Sequence, residues 1–265
     1  MGTGCRLCGA GTAWAFNAVV LAKYDVSFHT CGGCGSLQSE QPYWLAEAYS
    51  DPTARIDPGS ARRTLDCFVM VDIIARLFKC RTLLDFGGNT GFLCRLLRDR
   101  GYSAYSFDRH VIPTYVPQFV GSPADQYDLV SAFEVIEHFD QPTTELDQIF
   151  APRPRIVLAS TELYQGQAAD WWYIAPAEGQ HVFFYSKRAI ELIATRNGYH
   201  VMIGRRFVLF SRDPLTVLQR AILKLLRSRV LQVVGALSLM RRGDGAEKDF
   251  AALTSHGRAI GPPDD

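Results

Sequence analysis

Three sets of residues in this chain have the types and the spacing to do chemistry. The first is Leu83-Leu84-Asp85-Phe86-Gly87-Gly88-Asn89-Thr90-Gly91 together with Asp108. An apolar run ends in an acid and passes directly into a glycine-rich turn; a second apolar run, residues 102–107, ends in Asp108. Strand, glycine turn, helix, strand, acid is the order in which a Rossmann-type unit holds a nucleoside. Gly87, Gly88 and Gly91 let the backbone approach a ligand where a Cβ would collide. Asp108 can accept both hydroxyl protons of a ribose. The glycine spacing departs from G-x-G-x-x-G, which offers helix N-terminal amides to a pyrophosphate. Asp85, at the mouth of the turn, would repel a pyrophosphate and suits a cationic ligand.

The second set is Cys5-Arg6-Leu7-Cys8-Gly9 and Cys31-Gly32-Gly33-Cys34-Gly35. Each C-x-x-C-G turn places two thiolates on one side of the backbone, and the glycine that follows relieves crowding. Cys5, Cys8, Cys31 and Cys34 then supply four sulfurs for tetrahedral zinc, with no position left open for chemistry. Residues 14–28 between the turns are rich in β-branched and aromatic side chains, as in the hairpin of a zinc ribbon. The module has too few apolar residues to fold alone, so metal would supply most of its stability. Replacing Cys31 is then expected to unfold the module and spare the larger domain. A redox C-x-x-C is the rival, disfavoured because redox motifs do not usually come in matched pairs. His29 reads as a surface residue, and Cys67, Cys80 and Cys94 read as core.

The third set follows two later apolar runs. Phe133-Glu134-Val135-Ile136-Glu137-His138 closes one of them, and Glu134, Glu137 and His138 fall at i, i+3 and i+4, on one face of a helical turn. That places them at the carboxyl end of a central strand, where such sheets bind ligands. They are candidates for a second divalent cation, against a bracing role for His138. Thr161-Glu162 ends the next run and points Glu162 at the same pocket. Asp170-Trp171-Trp172-Tyr173 and Gly179-Gln180-His181-Val182-Phe183-Phe184-Tyr185-Ser186 come after it. His181 is the expected general base, with Glu162 beside it and His138 as competitor. Trp171, Trp172, Tyr173 and Tyr185 offer flat faces on which a sugar or an aromatic acceptor can stack, or else they are core.

The elements that must position these groups are legible from periodicity. Ser60 caps a helix through residue 78, a strand covers 82–86, a helix runs from Gly91 to about residue 100, and a strand covers 102–107. A short third strand is expected near 118–120 and a fourth at 127–133. A helix near 142–150 leads to a fifth strand at 155–160. Ser186 caps a helix that stops before Gly198, and 200–203 with 206–211 reads as a closing antiparallel pair. The division is a zinc-ribbon module at 1–40, an ordered linker at 41–59, an α/β domain at 60–212, an amphipathic helix at 213–242 and a disordered tail at 243–265. The helix pattern at 214–240 packs on its own domain or a second subunit, or lies on a membrane surface.

With 265 residues, 48% of them hydrophobic and 21% charged, a packed core is expected. A net charge of +1 gives no electrostatic reason to expect nucleic acid as partner. No secretory signal or membrane-spanning run is visible, and the cysteines suit a reducing compartment, so a cytoplasmic location is expected.

The Asp85–Gly91 segment resembles motif I of class I S-adenosylmethionine-dependent methyltransferases, usually D-x-G-x-G-x-G, with Asn89 where the middle glycine stands. S-adenosylmethionine carries an ammonium and a sulfonium and no phosphate, which agrees with Asp85. Asn tolerates left-handed backbone better than most residues. The run Glu134 to His138 resembles the E-x-x-E-H of the same superfamily, including ubiquinone-pathway O-methyltransferases that use a divalent cation. Residues ~40–212 resemble methyltransferase-like proteins of bacterial surface-polysaccharide synthesis, through the Pro42-Tyr43-Trp44-Leu45, Ser160-Thr161-Glu162, Asp170-Trp171-Trp172-Tyr173 and Gly179-Gln180-His181 runs. The resemblance implies a Rossmann-like methyltransferase sheet with an antiparallel closing hairpin. Asp85, Gly87, Gly88, Asn89, Gly91, Asp108, Phe133 and Glu134 would hold the cofactor, and a sugar or sugar nucleotide would receive the methyl group. The rivals are a catalytically inactive protein of the same fold and a nicotinamide-dependent sugar enzyme, the latter disfavoured by the glycine spacing.

Overall fold

The computed structural model describes residues 4–50, 59–205, 207–226 and 243–256. The N-terminal hairpin pairs β1 (Thr12–Val20) with β2 (Tyr24–Cys31), and β3 (Leu37–Ser39) continues it. A short helix α1 (Leu45–Ser50) and the long α2 (Ser60–Phe78) lead to β4 (Thr82–Phe86), α3 (Phe92–Asp99) and β5 (Ser103–Phe107). After β6 (Leu129–Phe133) come α4 (Pro142–Phe150), β7 (Ile156–Ser160), a two-residue β8 (Phe183–Phe184) and α5 (Lys187–Asn197). The strands β9 (His200–Ile203) and β10 (Val208–Ser211) precede α6 (Val217–Leu225) and α7 (Gly245–His256).

The large sheet has the order β5-β4-β6-β7-β10-β9. Its first four strands are parallel, and β10 runs antiparallel to both β7 and β9. This is the expected α/β sheet with its closing hairpin. Side chains alternate across it, as strand pleating requires. Leu83, Leu129, Ile156 and Leu158 enter one core with α2 and α3, whereas Leu84, Val130, Val157 and Ala159 enter the other with α4 and α5. The third strand expected near 118–120 is reduced to one parallel bridge, Ser106 to Val120.

Helix ends follow local chemistry with one exception. Ser186 accepts the Ala189 amide at the start of α5, and Gly198 closes that helix at φ 71°. Ser60 does not cap α2: it is the first helical residue, Gly59 is the cap, and no side-chain bond is made there.

Two expectations about organisation change. The cysteine module is not set apart from the larger domain. β3 pairs with β8, so the small sheet reads β1-β2-β3-β8, and Leu7, Cys5, Cys31 and Cys34 are buried in the same core as β6, β7 and α5. In the tail, α7 is an ordered helix where disorder was expected. Asp249 receives Nε and Nη2 of Arg98 at 2.9 and 2.6 Å, and Arg95 Nη2 at 2.9 Å. An ion-pair dock of this kind leaves no apolar periodicity to read. Of the helix expected at 213–242, α6 covers Val217–Leu225 and is opened by a Thr216–Gln219 capping box; residues 227–242 lie outside the described part of the chain. Among the described residues, no helix is long and apolar enough to cross a membrane.

Candidate active site and cysteine cluster

A cleft of about 590 Å³ opens at the carboxyl ends of β4, β5 and β6. Its volume lies within the range of ordinary small-molecule sites. Gly87, Asn89, Asp108, His110, Glu134 and His138 border it, and α1 closes one side with Tyr49.

The turn after β4 is built by close approach. Gly87 has φ +75°, and a Cβ there would stand 2.4 Å from Val135 Cγ2. Asn89 adopts φ 48°, so the left-handed turn survives the substitution of the middle glycine. Its amide donates to Asp108 Oδ2 at 3.0 Å. The amides of His110 and Val111 donate to Asp108 Oδ1 at 2.8 and 3.0 Å. Asp108 therefore ties the two loops together and keeps a carboxylate at the cleft.

Asp85, expected at the mouth of the turn, does not border the cleft. It is buried behind the turn, and Ser131 Oγ donates to its Oδ1 at 2.9 Å. Burial pushes its pKa up to about 7, with a smaller upward push from Asp108. Phe133 also misses the cleft and packs into the α2-side core.

At the end of β6, Glu134 takes φ 52°, an uncommon conformation for a side chain of this kind. Its Oε1 accepts Ser160 Oγ, and its Oε2 lies 3.0 Å from Tyr173 Oη. The next residues form a 3-10 turn, Ile136–His138, rather than an α-helical one. Glu137 is fully buried and touches the Tyr173 hydroxyl. Burial and then the neighbouring Glu134 push its pKa well up from the ordinary carboxylate range. The Tyr173 hydroxyl thus lies between the two carboxylates, and Glu137 Oε2 is left buried without a partner.

The metal-ligating geometry differs correspondingly from Glu134, Glu137 and His138. Donor atoms of Glu137, His138 and His181 lie within 4.8 Å of one another, and Glu134 stands outside that set. The His138 and His181 rings are 5.0 Å apart. His181 Nδ1 donates to Tyr173 O at 2.6 Å, which leaves Nε2 with its lone pair. Burial lowers the pKa of both histidines; that of His138 falls to about 3, with His181 and His110 pushing the same way. His138 borders the cleft, whereas His181 stands behind it.

The remaining sequence candidates are placed less directly. Glu162 is exposed and does not border the cleft. Tyr185 is fully buried, with its hydroxyl on Ile136 O at 3.0 Å, so it is core and no acceptor can stack on it. Trp171 packs on Tyr164, Tyr173 and Phe184, and Tyr173 is buried. Trp172 is 71% exposed and is the one member of that run with a free face. Tyr49 and His110 were not anticipated at the site. Their rings stack at 4.1 Å, and Tyr49 Oη lies 3.2 Å from His138 Nδ1. The aromatic density of residues 41–49 was the available signal.

The four cysteine sulfurs lie within 4.8 Å of one another, with Cys5–Cys34 at 3.7 Å and Cys8–Cys31 at 3.4 Å. A tetrahedron with Zn–S bonds of ~2.3 Å has edges of about 3.8 Å, so the cluster fits zinc. Gly9 and Gly35 take φ +76° and +74°, as the C-x-x-C-G turns require. The amides of Gly33 and Cys34 point at Cys31 Sγ from 3.3 and 3.4 Å, an arrangement that favours a thiolate. The Cys5 thiol and nearby Ser36 hold Cys34 down at about 4. His29 is half-buried on β2 and no part of the cluster.

Residues 61–202 match the family model of a methyltransferase domain. The chain belongs to that family. This methyltransferase is similar in fold to magnesium protoporphyrin IX methyltransferase from Synechocystis PCC 6803, solved with S-adenosylhomocysteine bound, at 14% identity and a TM-score of 0.46 over 64% of this chain and 93% of that one. It is also similar to the mitomycin 7-O-methyltransferase MmcR, at 16% identity and a TM-score of 0.48 over 64% of this chain and 60% of that one. An O-methyltransferase family protein from Burkholderia thailandensis matches at 15% identity and a TM-score of 0.41 over 65% and 68% of the two chains. No curated protein matches the chain. The match covers the whole large sheet as far as β9, the strands that border the cleft included.

Asp108 keeps its carboxylate at the border of the cleft, where the sequence expects a ribose. Asp108→Ala should weaken S-adenosylhomocysteine binding by about ten- to a hundredfold in calorimetry, since hydrogen bonds to a charged group are worth roughly 1.5–3 kcal/mol. An unchanged dissociation constant would remove Asp108 from the cofactor site.

Proposed function

We propose that the enzyme methylates a hydroxyl of a small acceptor, a sugar or sugar nucleotide, with His138 as the group that takes the acceptor's proton. The observation that carries this is the neutral imidazole of His138 at the edge of the cleft, backed by His181 and Tyr49. Bound in the cleft, S-adenosylmethionine supplies an electrophilic methyl carbon on a sulfonium. The acceptor oxygen forms the new C–O bond as the S–C bond breaks, and the hydroxyl proton passes to His138. Tyr49 orients that ring, and Asp108 with the Gly87 turn fixes the cofactor end. Positioning of the two reactants does most of the work in such a displacement.

The sugar class is supported by a polar cleft wall containing Arg109, Asp140 and Glu145. It also follows the resemblance to the polysaccharide-associated methyltransferases. Incubation with S-adenosylmethionine and a panel of nucleotide sugars, read by mass spectrometry, should give one singly methylated product. A panel that yields none, while small phenols or catechols are methylated, would replace the sugar by an aromatic acceptor.

Zinc is the metal we assign to Cys5, Cys8, Cys31 and Cys34, in a closed structural role. Freshly purified protein should contain one equivalent by elemental analysis; less than about half an equivalent counts against it. A second reading of the catalytic pocket, a divalent cation on Glu137, His138 and His181, is favoured by Glu137 Oε2, which is buried with no partner. Turnover that persists in zinc-replete, magnesium-free protein, with no second metal equivalent, decides for the proton-transfer reading.

A further inference from the structure

Arg6 belongs to the first cysteine turn, yet its side chain reaches out of the module. Its Nη2 donates to Val182 O at 2.6 Å and lies 3.3 Å from Ser39 Oγ. The guanidinium stands 5.9 Å from the centre of the Phe183 ring. Burial makes this charge costly, and its Nε and Nη1 have no hydrogen-bond partner. The second cysteine turn grips the same segment at its other end, where Ser186 Oγ donates to Cys34 O. Residues 182–186 are therefore tied to both turns of the cluster.

That segment also runs behind the cleft. Val182 N donates to Glu137 O at 2.9 Å, and the residue before it is His181, whose Nδ1 donates to Tyr173 O. One carbonyl, Val182 O, thus receives Arg6 from the cysteine turn and Ser39 N from β3, while the same peptide segment carries His181 against His138.

We propose that Arg6 is a positioning residue for the histidine pair, and that the cysteine cluster governs the active site through it. With the four sulfurs closed on a metal, Arg6 is held over Val182 O and His181 is seated on Tyr173 O behind His138. Loss of the metal releases the turn, and His181 with it. The module is then a built-in dependence of the methyl-transfer site on metal, beyond its part in stability. The proposal rests on the reading of His138 and His181 as the proton-accepting pair.

The test follows the ring Nδ1–H of His181 by ¹⁵N-resolved NMR in the full chain saturated with S-adenosylhomocysteine, with metal content measured on each sample. This resonance, assigned by its absence in His181→Gln, should be sharp and protected in the wild type. It should vanish in Arg6→Ala, return in Arg6→Lys, which keeps one donor for Val182 O, and vanish again when the metal is stripped with a chelator. Cofactor affinity should be unchanged throughout. A resonance that survives in Arg6→Ala or after stripping overturns the proposal, as does its loss in Arg6→Lys. If Arg6→Ala loses cofactor binding and so fails to fold, Arg6→Gln takes its place under the same criteria. Metal-free wild-type protein would overturn the cluster's part. Normal turnover in His138→Ala, with the NMR results as expected, would instead sink the base assignment and leave the positioning intact.

Discussion

His138→Ala should lower turnover by roughly 10²- to 10⁴-fold while leaving the affinity for S-adenosylhomocysteine nearly intact. The ring borders the cleft, and burial lowers its pKa to about 3, so the imidazole is neutral at pH 7. The same substitution at His181 should also slow turnover, because His181 backs the His138 ring at 5.0 Å. The pH dependence gives a second readout. Burial lowers both histidines, so the base form persists below the ordinary histidine value near ~6.5, and the acidic limb of the rate profile should lie below that pH. The sign for stability follows from linkage. Between pH 6.5 and about 3 the unfolded chain binds a proton that folded His138 refuses, so His138 destabilises the native state as pH falls through that window. Asp85 works oppositely: raised to about 7 by burial, its contribution is present below its unfolded value near 3.8 and is lost as pH rises toward 7. His138→Asn should therefore melt higher than wild type at pH 5, and by less at pH 7. Normal turnover in His138→Ala would move proton acceptance to His181, or show that the enzyme works by proximity alone.

Cys31→Ser should destabilise the whole protein and not the N-terminal module alone. Structural zinc sites contribute about 10–16 kcal/mol in isolated zinc-finger peptides, so the loss of one ligand removes most of what folds the module. Cys31 and Leu7 are buried with side chains of β6, β7 and α5, and β3 is hydrogen-bonded to β8. Unseating them opens the sheet's own core. At roughly 2–4 °C per kcal/mol for a domain of this size, a loss of only 3 kcal/mol lowers the melting temperature by about 10 °C. Differential scanning calorimetry should show one transition moving down. A split into a lost module and an unmoved main transition would restore the independence that residues 1–40 suggest when read as sequence.

The sequence by itself was enough for what depends on local spacing. The alternation of apolar runs with helix patterns, the glycine turn after Phe86 and the acid at Asp108 carried the nucleoside-binding unit, because each requires only neighbours along the chain. The paired C-x-x-C-G turns carried the four-sulfur cluster for the same reason, and Gly9 and Gly35 take the left-handed conformation the motif implies. The capping Ser186 and the closing Gly198 were equally local.

Only the tertiary structure decided which of the chemically capable residues meet. The 3-10 turn at Ile136–His138 groups Glu137 with His138, and a segment more than forty residues on adds His181 to them where Glu134 was expected. Asp85 and Asp108 both end strands, yet the pleat buries the first and leaves the second at the cleft. Tyr185 and Trp172 look alike in sequence, and burial alone separates core from open surface. The union of the cysteine module with the catalytic sheet rests on β3–β8 pairing and on Arg6 reaching Val182. These contacts join segments remote in sequence, and their hydrogen bonds and ion pairs carry no periodic signature, so nothing along the chain announces them.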